Sequence, residues 1–293
     1  MSLVEWTSIF VRVAEGSTIS AAAKEHRVSQ AHASRSLQSL EEHLGCSLLR
    51  RTTRRSTLTP EGERYLVAGR RLLAAVDEAT DSVRETLTGT VRVTAPVGFG
   101  QVVIAPLLDD FANAHPNVRL EFQLTDSFVD LVSAGMDVAF RLGQLHASSL
   151  RARKLGEMRR HLVASPAYLD AHPAVRHPRD VARHELLSFT GQQTSRLRLD
   201  RRGQVAWVDL RGRRASNHLP TLRDWTLAGR GITVLPGWLV AQDLTKNRLR
   251  IVLPSWTPSS LPVHVLLHSE THRSARTTTF VETVAEGLRQ ALT

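Results

Sequence analysis

Six polar or small side chains near the N-terminus have the chemistry needed to contact DNA. The amide fork of Gln30 can pair with adenine, and the guanidinium fork of Arg35 can pair with O6 and N7 of guanine. Each bidentate pair is worth about 1–3 kcal/mol of discrimination between bases. Helical spacing places further candidates for base or phosphate contact beside them: Ala31, His32, Ser34 and Gln38. The alternative is that Gln30 and Arg35 are only solvated residues on a helix surface.

Capping residues and apolar spacing predict the helix that presents these side chains. Ser29 is a suitable N-cap, and Gly45 ends the helix at its C′ position. A shorter helix, capped by Thr18 or Ser20, precedes it across a tight turn. Apolar residues at helical spacing mark an earlier helix and the inward face of the third: Leu3, Trp6, Ile9, Phe10 and Val13, then Ala33, Leu37, Leu40 and Leu44. Two short helices about a tight turn predict a helix-turn-helix.

A basic run follows this motif. Residues 50–55 read Arg-Arg-Thr-Thr-Arg-Arg and residues 56–59 read Ser-Thr-Leu-Thr, which favours a short β-ribbon with a basic tip, a wing. Arg51, Thr53 and Arg54 are its candidates for DNA contact, since arginines there can bind phosphate or enter a minor groove. The alternative is a turn whose charges only aid solubility.

Pro60 begins a predicted helix that runs to residue 87. Apolar or small residues recur along it in alternating steps of three and four: Leu66, Gly69, Leu73, Val76, Thr80, Val83 and Leu87. That spacing is a heptad seam on a helix about 42 Å long. We expect the seam to pair with a second copy of the chain. The alternative is that it packs on the chain's own domains.

Beyond a hinge at residues 88–90, strands and helices alternate. Strands are predicted over 91–94, 118–124, 137–141, 161–164, 232–235, 250–253 and 263–267. One predicted helix ends near residue 114, and others lie over 128–134, 219–228 and 278–292. The β-α-β-α-β order predicts a mostly parallel, helix-covered sheet.

Composition limits the classes of function. The 293 residues, 42% of them hydrophobic, allow about two domains. We expect a cytoplasmic protein, because no apolar run approaches the ~18 residues of a membrane helix and no secretory leader opens the chain. Cys46 is the single cysteine, which excludes an intrachain disulfide and a cysteine-based zinc site. Nucleophile-elbow, P-loop and His-Glu-x-x-His motifs are absent, so we expect no enzyme, cofactor or metal.

The net charge of +10 is concentrated away from the candidate DNA-reading residues. Residues 151–223 hold 16 basic against 6 acidic residues, whereas residues 1–59 hold 8 against 5. Three explanations of the basic stretch are open: a surface for an acidic ligand or partner, nonspecific contact with bent flanking DNA, and a solvated arginine-rich surface.

The N-terminal 60 or so residues resemble the LysR-type transcriptional regulators. The segments that carry the resemblance include Phe10-Val11-Arg12-Val13-Ala14-Glu15, Val28-Ser29-Gln30, Ser34-Arg35, Leu44-Gly45 and Leu58-Thr59 with Gly62. Later segments are similar to the family's effector domain, in the subgroup with an Ala-Pro-x-x-Phe-Gly signature: Thr94-Ala95-Pro96 with Phe99-Gly100, Asp137-Val138-Ala139-Phe140-Arg141-Leu142-Gly143 and Leu235-Pro236.

The resemblance implies an α/β fold with an all-α N-terminal part. A winged helix-turn-helix DNA-binding domain over 1–59 would lead through a dimerising linker helix over 60–88 to an effector-binding domain over 89–293. That domain would be periplasmic-binding-protein-like, with α/β subdomain I at 89–161 and 266–293 and α/β subdomain II at 162–265. Family members are commonly tetramers built from dimers.

The resemblance also implies a ligand cleft between the subdomains. Its lining would be Thr94, Ala95, Pro96, Phe99, Gly100, Asp126, Phe128 and Arg141 from subdomain I, with Phe189, Asn217 and His218 from subdomain II. A helix N-terminus at 94–100, where Gly98 and Gly100 would admit a ligand to the backbone, suits an anionic or carbonyl-bearing molecule.

Two alternatives to these roles are open. Arg141 is expected to bind a carboxylate, and an internal salt bridge to Asp126 or Asp137 is its alternative. For Phe99 and Phe128 the alternative is core packing.

We therefore expect a transcription factor that binds a palindromic double-stranded operator as a homodimer or homotetramer and responds to a small-molecule effector. RNA polymerase is a further candidate partner, and no membrane partner is expected. The alternative is an effector-independent DNA-binding regulator with a vestigial cleft.

Replacing Arg35 with Ala tests the base-reading role. We expect the variant to lose about 1–3 kcal/mol of affinity for a selected operator and much less for random-sequence DNA, because the guanine contact is specific. Electrophoretic mobility shift on both DNAs at one salt concentration measures the difference. Equal losses on the two DNAs would contradict base reading.

Overall fold

In a computed structural model, the chain forms two compact units. The structure describes residues 2–51, 56–81, 86–127, 130–145, 150–191, 196–267 and 274–292. The first unit comprises Met1–Gly89 with Asp130–Gly135 and Glu270–Thr278, and the second unit comprises the remainder, Thr90–Val129, Met136–Ser269 and Thr279–Thr293.

The first unit contains the predicted helices and the ribbon that follows them. Its elements are α1 Leu3–Ala14, α2 Ile19–Glu25, α3 Gln30–Leu44, β1 Leu49–Arg51, β2 Ser56–Leu58 and α4 Pro60–Asp81. Thr18 is the cap of α2, since its hydroxyl accepts the N–H of Ala21 at 3.1 Å. The Ser29 hydroxyl accepts the N–H of His32 at 3.1 Å, and Gly45 ends α3 at a φ of 67°. The local signals therefore set both ends of α3.

One apolar core joins these helices. Ile9 and Phe10 of α1 and Leu37 and Leu40 of α3 are almost fully buried in it. The β1–β2 hairpin covers one end of this core, with Leu49 opposite Leu58.

The N-terminal half of the predicted seam on α4 packs on its own chain. Leu66 and Leu73 pack against the core of α1 to α3. A Cβ on Gly69 would lie 2.9 Å from the Thr7 methyl group of α1. This half of the seam therefore packs on the chain's own helices and not on a partner chain. Leu87 lies beyond the helix, so the prediction that the helix reaches it is wrong, and Val83 is outside the described residues.

The first half of the second unit is built on a five-stranded sheet of order β4-β3-β5-β15-β6. Its strands are β3 Gly89–Ala95, β4 Val118–Leu124, β5 Val138–Leu142, β6 Arg151–Met158 and β15 Leu261–Leu267. Its helices are α5 Val97–Phe99, which continues through a π-helical turn at Gly100–Ile104, then α6 Ala105–Ala114 and α11 Ala275–Ala291, and the chain forms α7 Leu131–Ala134 between β4 and β5. The residues of α7 and the first turn of α11 group with the first unit.

The second half carries three small sheets, of orders β12-β7-β13, β10-β9-β14 and β11-β8. Its elements are β7 Arg160–Ala164, α8 Pro166–Asp170, a 3-10 turn Pro178–Arg183, β8 Leu187–Phe189, β9 Arg196–Arg201, β10 Gln204–Asp209, β11 Arg214–Ser216, α9 Leu219–Leu227, β12 Thr233–Pro236, α10 Gly237–Thr245, β13 Arg250–Ile251 and β14 Thr257–Pro258.

The expectation of mostly parallel strands is wrong. β3 and β5 are parallel, as are β8 and β11, but β15 runs antiparallel to both β5 and β6, and β12 and β13 run antiparallel to β7. The reason is connectivity, because a crossover helix forces parallel pairing only between the strands that it joins. β15 returns from the second half and is free to run the other way.

The chain passes twice between the two halves of the second unit. It leaves the five-stranded sheet between β6 and β7, at Arg159, and comes back between β14 and β15, at Ser259 and Ser260. Among the described residues, no helix combines the length and apolar character that a membrane span requires.

Gly62 is a sharp test of how α4 is placed. A Cβ there would lie 2.1 Å from the backbone oxygen of Leu48. A backbone atom cannot move away by a rotamer change as a side-chain atom can. We expect Gly62→Ala to lower the free energy of unfolding by about 2 kcal/mol or more, although alanine favours helix. Chemical denaturation followed by circular dichroism measures this loss.

Gly287→Ala is the matched control, because the nearest atoms there belong to the flexible Leu107 side chain. A Gly62→Ala variant as stable as this control would contradict the close approach of α4 to Leu48.

Candidate functional site

The predicted DNA-contacting residues lie on the solvent side of α3. Gln30, Ala31, Arg35 and Gln38 are exposed, and His32 and Ser34 are partly exposed. The opposite side of the same helix is buried in the core through Ala33, Leu37 and Leu40. The structure therefore brings all six predicted side chains of α3 to one accessible surface.

His32 on this surface is held by a residue that the sequence analysis missed. The His32 Nε2 atom lies 2.9 Å from Oε1 of Glu5 in α1. This contact lowers the pKa of Glu5 below its ordinary value of 4.5. The two residues are 27 positions apart, so no local spacing could have paired them. Gln38 also has a partner, because its amide donates to Glu42 at 2.9 Å.

The ribbon after α3 is tied to it by one carboxylate. Oε1 of Glu41 accepts the backbone N–H groups of Leu48 at 2.7 Å and Leu49 at 3.0 Å. Arg51 is the last residue of β1, paired with Ser56. Thr53 and Arg54 lie outside the described residues.

Two polar groups of the predicted cleft share one face of the five-stranded sheet. Thr94 of β3 is in register with Ala139 of β5, and Arg141 follows two residues later on the same side of the strand. The Thr94 hydroxyl is fully buried, and neither its Oγ1 nor the Nη2 of Arg141 has a hydrogen-bond partner in the part of the chain that the structure describes. Arg141 Nη1 donates to the carbonyl of Phe140 at 2.9 Å.

Arg141 forms no ion pair with Asp126 or Asp137 within the described ranges. Burial lowers the pKa of Arg141, and the charge of Asp126 only partly opposes this shift. Asp126 instead accepts the N–H of Val97 at 3.1 Å, and Asp137 accepts the N–H of Arg92 at 2.8 Å. The Arg141 guanidinium is thus a partly buried cation that these two carboxylates do not neutralise through a contact.

Close packing accounts for Gly100, and Gly98 lies within ordinary contact distance of an aromatic side chain. A Cβ on Gly100 would meet Leu124 at 2.3 Å, so this glycine serves close packing, and its N–H already donates to the carbonyl of Pro96 at 2.7 Å. A Cβ on Gly98 would meet Trp238 at 3.4 Å. The Asp126 carboxylate occupies the helix N-terminus, where an anionic ligand was expected.

The remaining predicted residues of the first half are placed as follows. Ala95 and Phe99 are buried, and Pro96 is partly exposed where β3 meets α5. Core packing therefore describes Phe99, whose ring lies 6.1 Å from that of Trp238. Phe128 lies outside the described residues.

The second half brings Phe189, Asn217 and His218 together. β8 and β11 are parallel, with Ser216 opposite Phe189, so both strands end at this point. His218 begins α9, and its Nδ1 lies 3.0 Å from the Thr221 hydroxyl. Trp238, whose Nε1 donates to Met158 Sδ at 3.1 Å, is the neighbouring aromatic residue that the sequence analysis missed. No periodic pattern in the sequence indicates that the buried Phe99 packs beside Trp238, which directly follows Pro236-Gly237.

Much of the basic stretch is paired inside its own sequence or with nearby acids. Arg211 binds Asp209, Arg198 binds Asp200, and Arg223 holds the fully buried Asp243 at 2.6 Å. Those contacts favour the solvated arginine-rich surface among the three explanations.

Family comparisons agree with both parts of this geometry. Residues 4–63 match the model described as bacterial regulatory helix-turn-helix protein, lysR family, and residues 84–289 match the LysR substrate binding domain. The chain belongs to the LysR family of transcriptional regulators.

Full-length relatives extend this assignment over nearly the whole chain. The HTH-type transcriptional regulator PtxR of Pseudomonas aeruginosa is 35% identical over 95% of this chain and 91% of its own. The structure of the Vibrio cholerae virulence activator AphB matches with a TM-score of 0.62 at 28% identity, covering 98% and 99% of the two chains. CrgA of Neisseria meningitidis matches at 0.61 and 29%, covering 97% and 98%.

This LysR-type regulator thus combines a DNA-binding helix-turn-helix with a substrate-binding domain, and regulation by an effector is typical of its family. LysR-type regulators bind operators and small-molecule effectors and form oligomers. The matched families and the relatives named above are regulators and not enzymes.

The Glu5–His32 contact predicts a specific titration. In the wild type the pKa of Glu5 lies below 4.5, and His32→Ala should return it toward that value because the hydrogen bond is lost. Ionised Glu5 therefore contributes stability above about pH 4.5, and that stability is lost as the pH falls through the lowered pKa. A carbon-13 NMR titration of labelled glutamate carboxyls measures the shift.

Gln38→Ala is the control, since Gln38 is exposed on the same helix and bonded to a different glutamate. An unchanged Glu5 titration in His32→Ala would show that the contact does not persist in solution.

Proposed function

We propose that this LysR-type regulator binds a palindromic operator through α3, with Gln30 and Arg35 reading bases and Ala31, His32, Ser34 and Gln38 completing the contact surface. Arg51, Thr53 and Arg54 are proposed to contact the flanking backbone or minor groove. The exposure of the α3 side chains supports this assignment. A recognition helix reads base edges with its N-terminal residues, which is where these side chains are concentrated.

The proposed assembly is a homodimer through the C-terminal part of α4, and two such dimers form a homotetramer. Leu66, Gly69 and Leu73 are used within the chain, so Val76 and Thr80 are the described seam residues left for a partner helix. We further propose the domain limits 1–59, 60–88 and 89–293, a cytoplasmic location, and RNA polymerase as a partner of the DNA-bound form.

The proposed effector is a small organic anion held between the two halves of the second unit. The observation that carries this proposal is a pair of buried polar groups on one face of the sheet, Thr94 Oγ1 and Arg141 Nη2, for which the described residues supply no hydrogen-bond partner. A buried polar group without a partner costs about 1–3 kcal/mol, and a carboxylate could bond to both. Ala95, Pro96, Phe99, Gly100, Asp126, Phe128, Phe189, Asn217 and His218 are proposed to surround it.

An effector must bind two arrangements of the protein unequally in order to change DNA binding. The proposed site meets this condition because its two sides belong to different halves of the unit. An effector-independent regulator is the alternative, and the contact of Phe99 and Gly98 with Trp238 favours it by filling space between those halves.

Thr94→Val tests what the Thr94 hydroxyl does for stability and for effector binding. Valine has nearly the same shape and removes the unpartnered hydroxyl, so we expect the ligand-free protein to gain about 1 kcal/mol in free energy of unfolding. The same variant should lose affinity for the effector. Thermal denaturation across a panel of carboxylate metabolites measures both, because a ligand stabilises by RT ln(1 + [L]/Kd).

Arg141→Gln should also abolish the ligand-induced rise in melting temperature, while leaving DNA binding in the absence of ligand intact. No stabilisation by any carboxylate at about millimolar concentration would favour the effector-independent alternative.

A further inference from the structure

A large cavity lies at the two passages of chain between the halves of the second unit, away from the Thr94–Arg141 pair. Its volume is about 830 Å³. Residues of both passages line it, together with arginines from β7 and β9, a buried tryptophan and a residue near the end of the chain: Arg159, Arg160, Arg198, Trp256, Ser259 and Leu292. None of the residues assigned to the proposed effector site belongs to this lining.

Arg160 is the buried cation of this cavity. Its side chain is 8% exposed, and its Nε and Nη2 atoms donate to the carbonyl of Ser259 at 2.9 and 2.7 Å. Nη2 also lies 2.9 Å from the Ser259 hydroxyl. Burial lowers the pKa of Arg160 to about 10, so it stays charged at neutral pH. These bonds join the first passage to the second.

The carboxylates that line the cavity are already engaged. Glu157 pairs with Lys154 and accepts the Ser260 hydroxyl at 2.6 Å, and Asp200 pairs with Arg198 at 3.2 Å. Arg159 is exposed, and no carboxylate pairs with it in the described part of the chain. The uncompensated charge of the lining is therefore positive.

Part of the lining is apolar. Ile251, Pro254 and Leu292 are its accessible apolar residues, and Trp256 and Pro258 are buried behind the surface. A fully hydrated inorganic ion would leave these apolar side chains wet, whereas a molecule with one anionic group and an apolar body would satisfy both parts of the lining.

We propose that this cavity binds a small organic carboxylate with an apolar or aromatic body, as a second ligand site. The carboxylate would be held by Arg159 and reach the edge of Arg160, and the body would lie against the exposed Ile251 and Pro254. Such a ligand contacts both passages at once. It therefore stabilises one relative position of the two halves, and the site adds to the proposed effector site without depending on it.

Phenylacetate is a suitable probe, and phenylacetamide and acetate are the comparison compounds. The amide lacks the charge and acetate lacks the ring. Isothermal titration calorimetry on the full chain should give saturable binding of phenylacetate with a Kd at or below about 1 mM, and at least about tenfold weaker binding of the other two.

Arg159→Gln is the informative variant, because an exposed side chain can be replaced without disturbing the fold. We expect it to weaken phenylacetate binding about tenfold, as one charge-assisted contact is lost. Arg230→Gln is the matched control, since Arg230 is also exposed and is absent from the lining. Arg141→Gln tests the Thr94–Arg141 site separately, and the phenylacetate binding that depends on Arg159 should persist in that variant.

Three results would overturn the proposal. One is no saturable phenylacetate binding up to about 10 mM. Another is equal weakening by Arg159→Gln and Arg230→Gln, which would mean a general charge effect. The last is loss of binding in Arg141→Gln with retention in Arg159→Gln, which would assign the probe to the Thr94–Arg141 site and support the proposed function alone.

Discussion

The bonds from the buried Arg160 guanidinium to Ser259 are the interaction on which the second unit depends. The chain crosses between its halves at two places, and these bonds join the crossings to each other. The serine is itself held, because its N–H donates to the carbonyl of Arg198 at 2.9 Å. A desolvated guanidinium is costly unless its donors are used, and the carbonyl and hydroxyl of Ser259 accept from two of its nitrogens.

Local signals in the sequence predicted the elements of the first unit well. Ser29 and Gly45 act at short range, so their effects on α3 do not depend on the rest of the chain. The seam on α4 was ambiguous, since an apolar stripe packs equally well on a neighbouring helix or on a partner chain. The Thr7 methyl group against Gly69 decided it for the N-terminal half, and this contact spans 62 positions. Strand direction failed for a similar reason, because β15 pairs with β5 only after the chain has built the whole second half.

The candidate site also contains parts that the sequence predicted and parts that it did not. Exposure of Gln30 and Arg35 follows from helix periodicity, and it was predictable. Glu5, Trp238 and the cavity at the crossings were not, because each depends on residues that are distant in sequence and carry no shared motif. Gly100 shows the opposite error, since a glycine before a helix resembles a ligand-binding turn whether a ligand or the Leu124 side chain fills the space. The arginine-rich stretch also had three open explanations until its ion pairs were known.

The carboxylate of Glu41 has a consequence for the length of DNA that one subunit covers. By accepting the successive N–H groups of Leu48 and Leu49, it fixes the start of the ribbon to the last turn of α3. The distance between the side chains proposed to read bases and the start of the ribbon is then set by the protein. On the proposed binding mode, a half-site with one base pair inserted between the two regions cannot be met by stretching the protein, so the DNA would have to twist or bend instead.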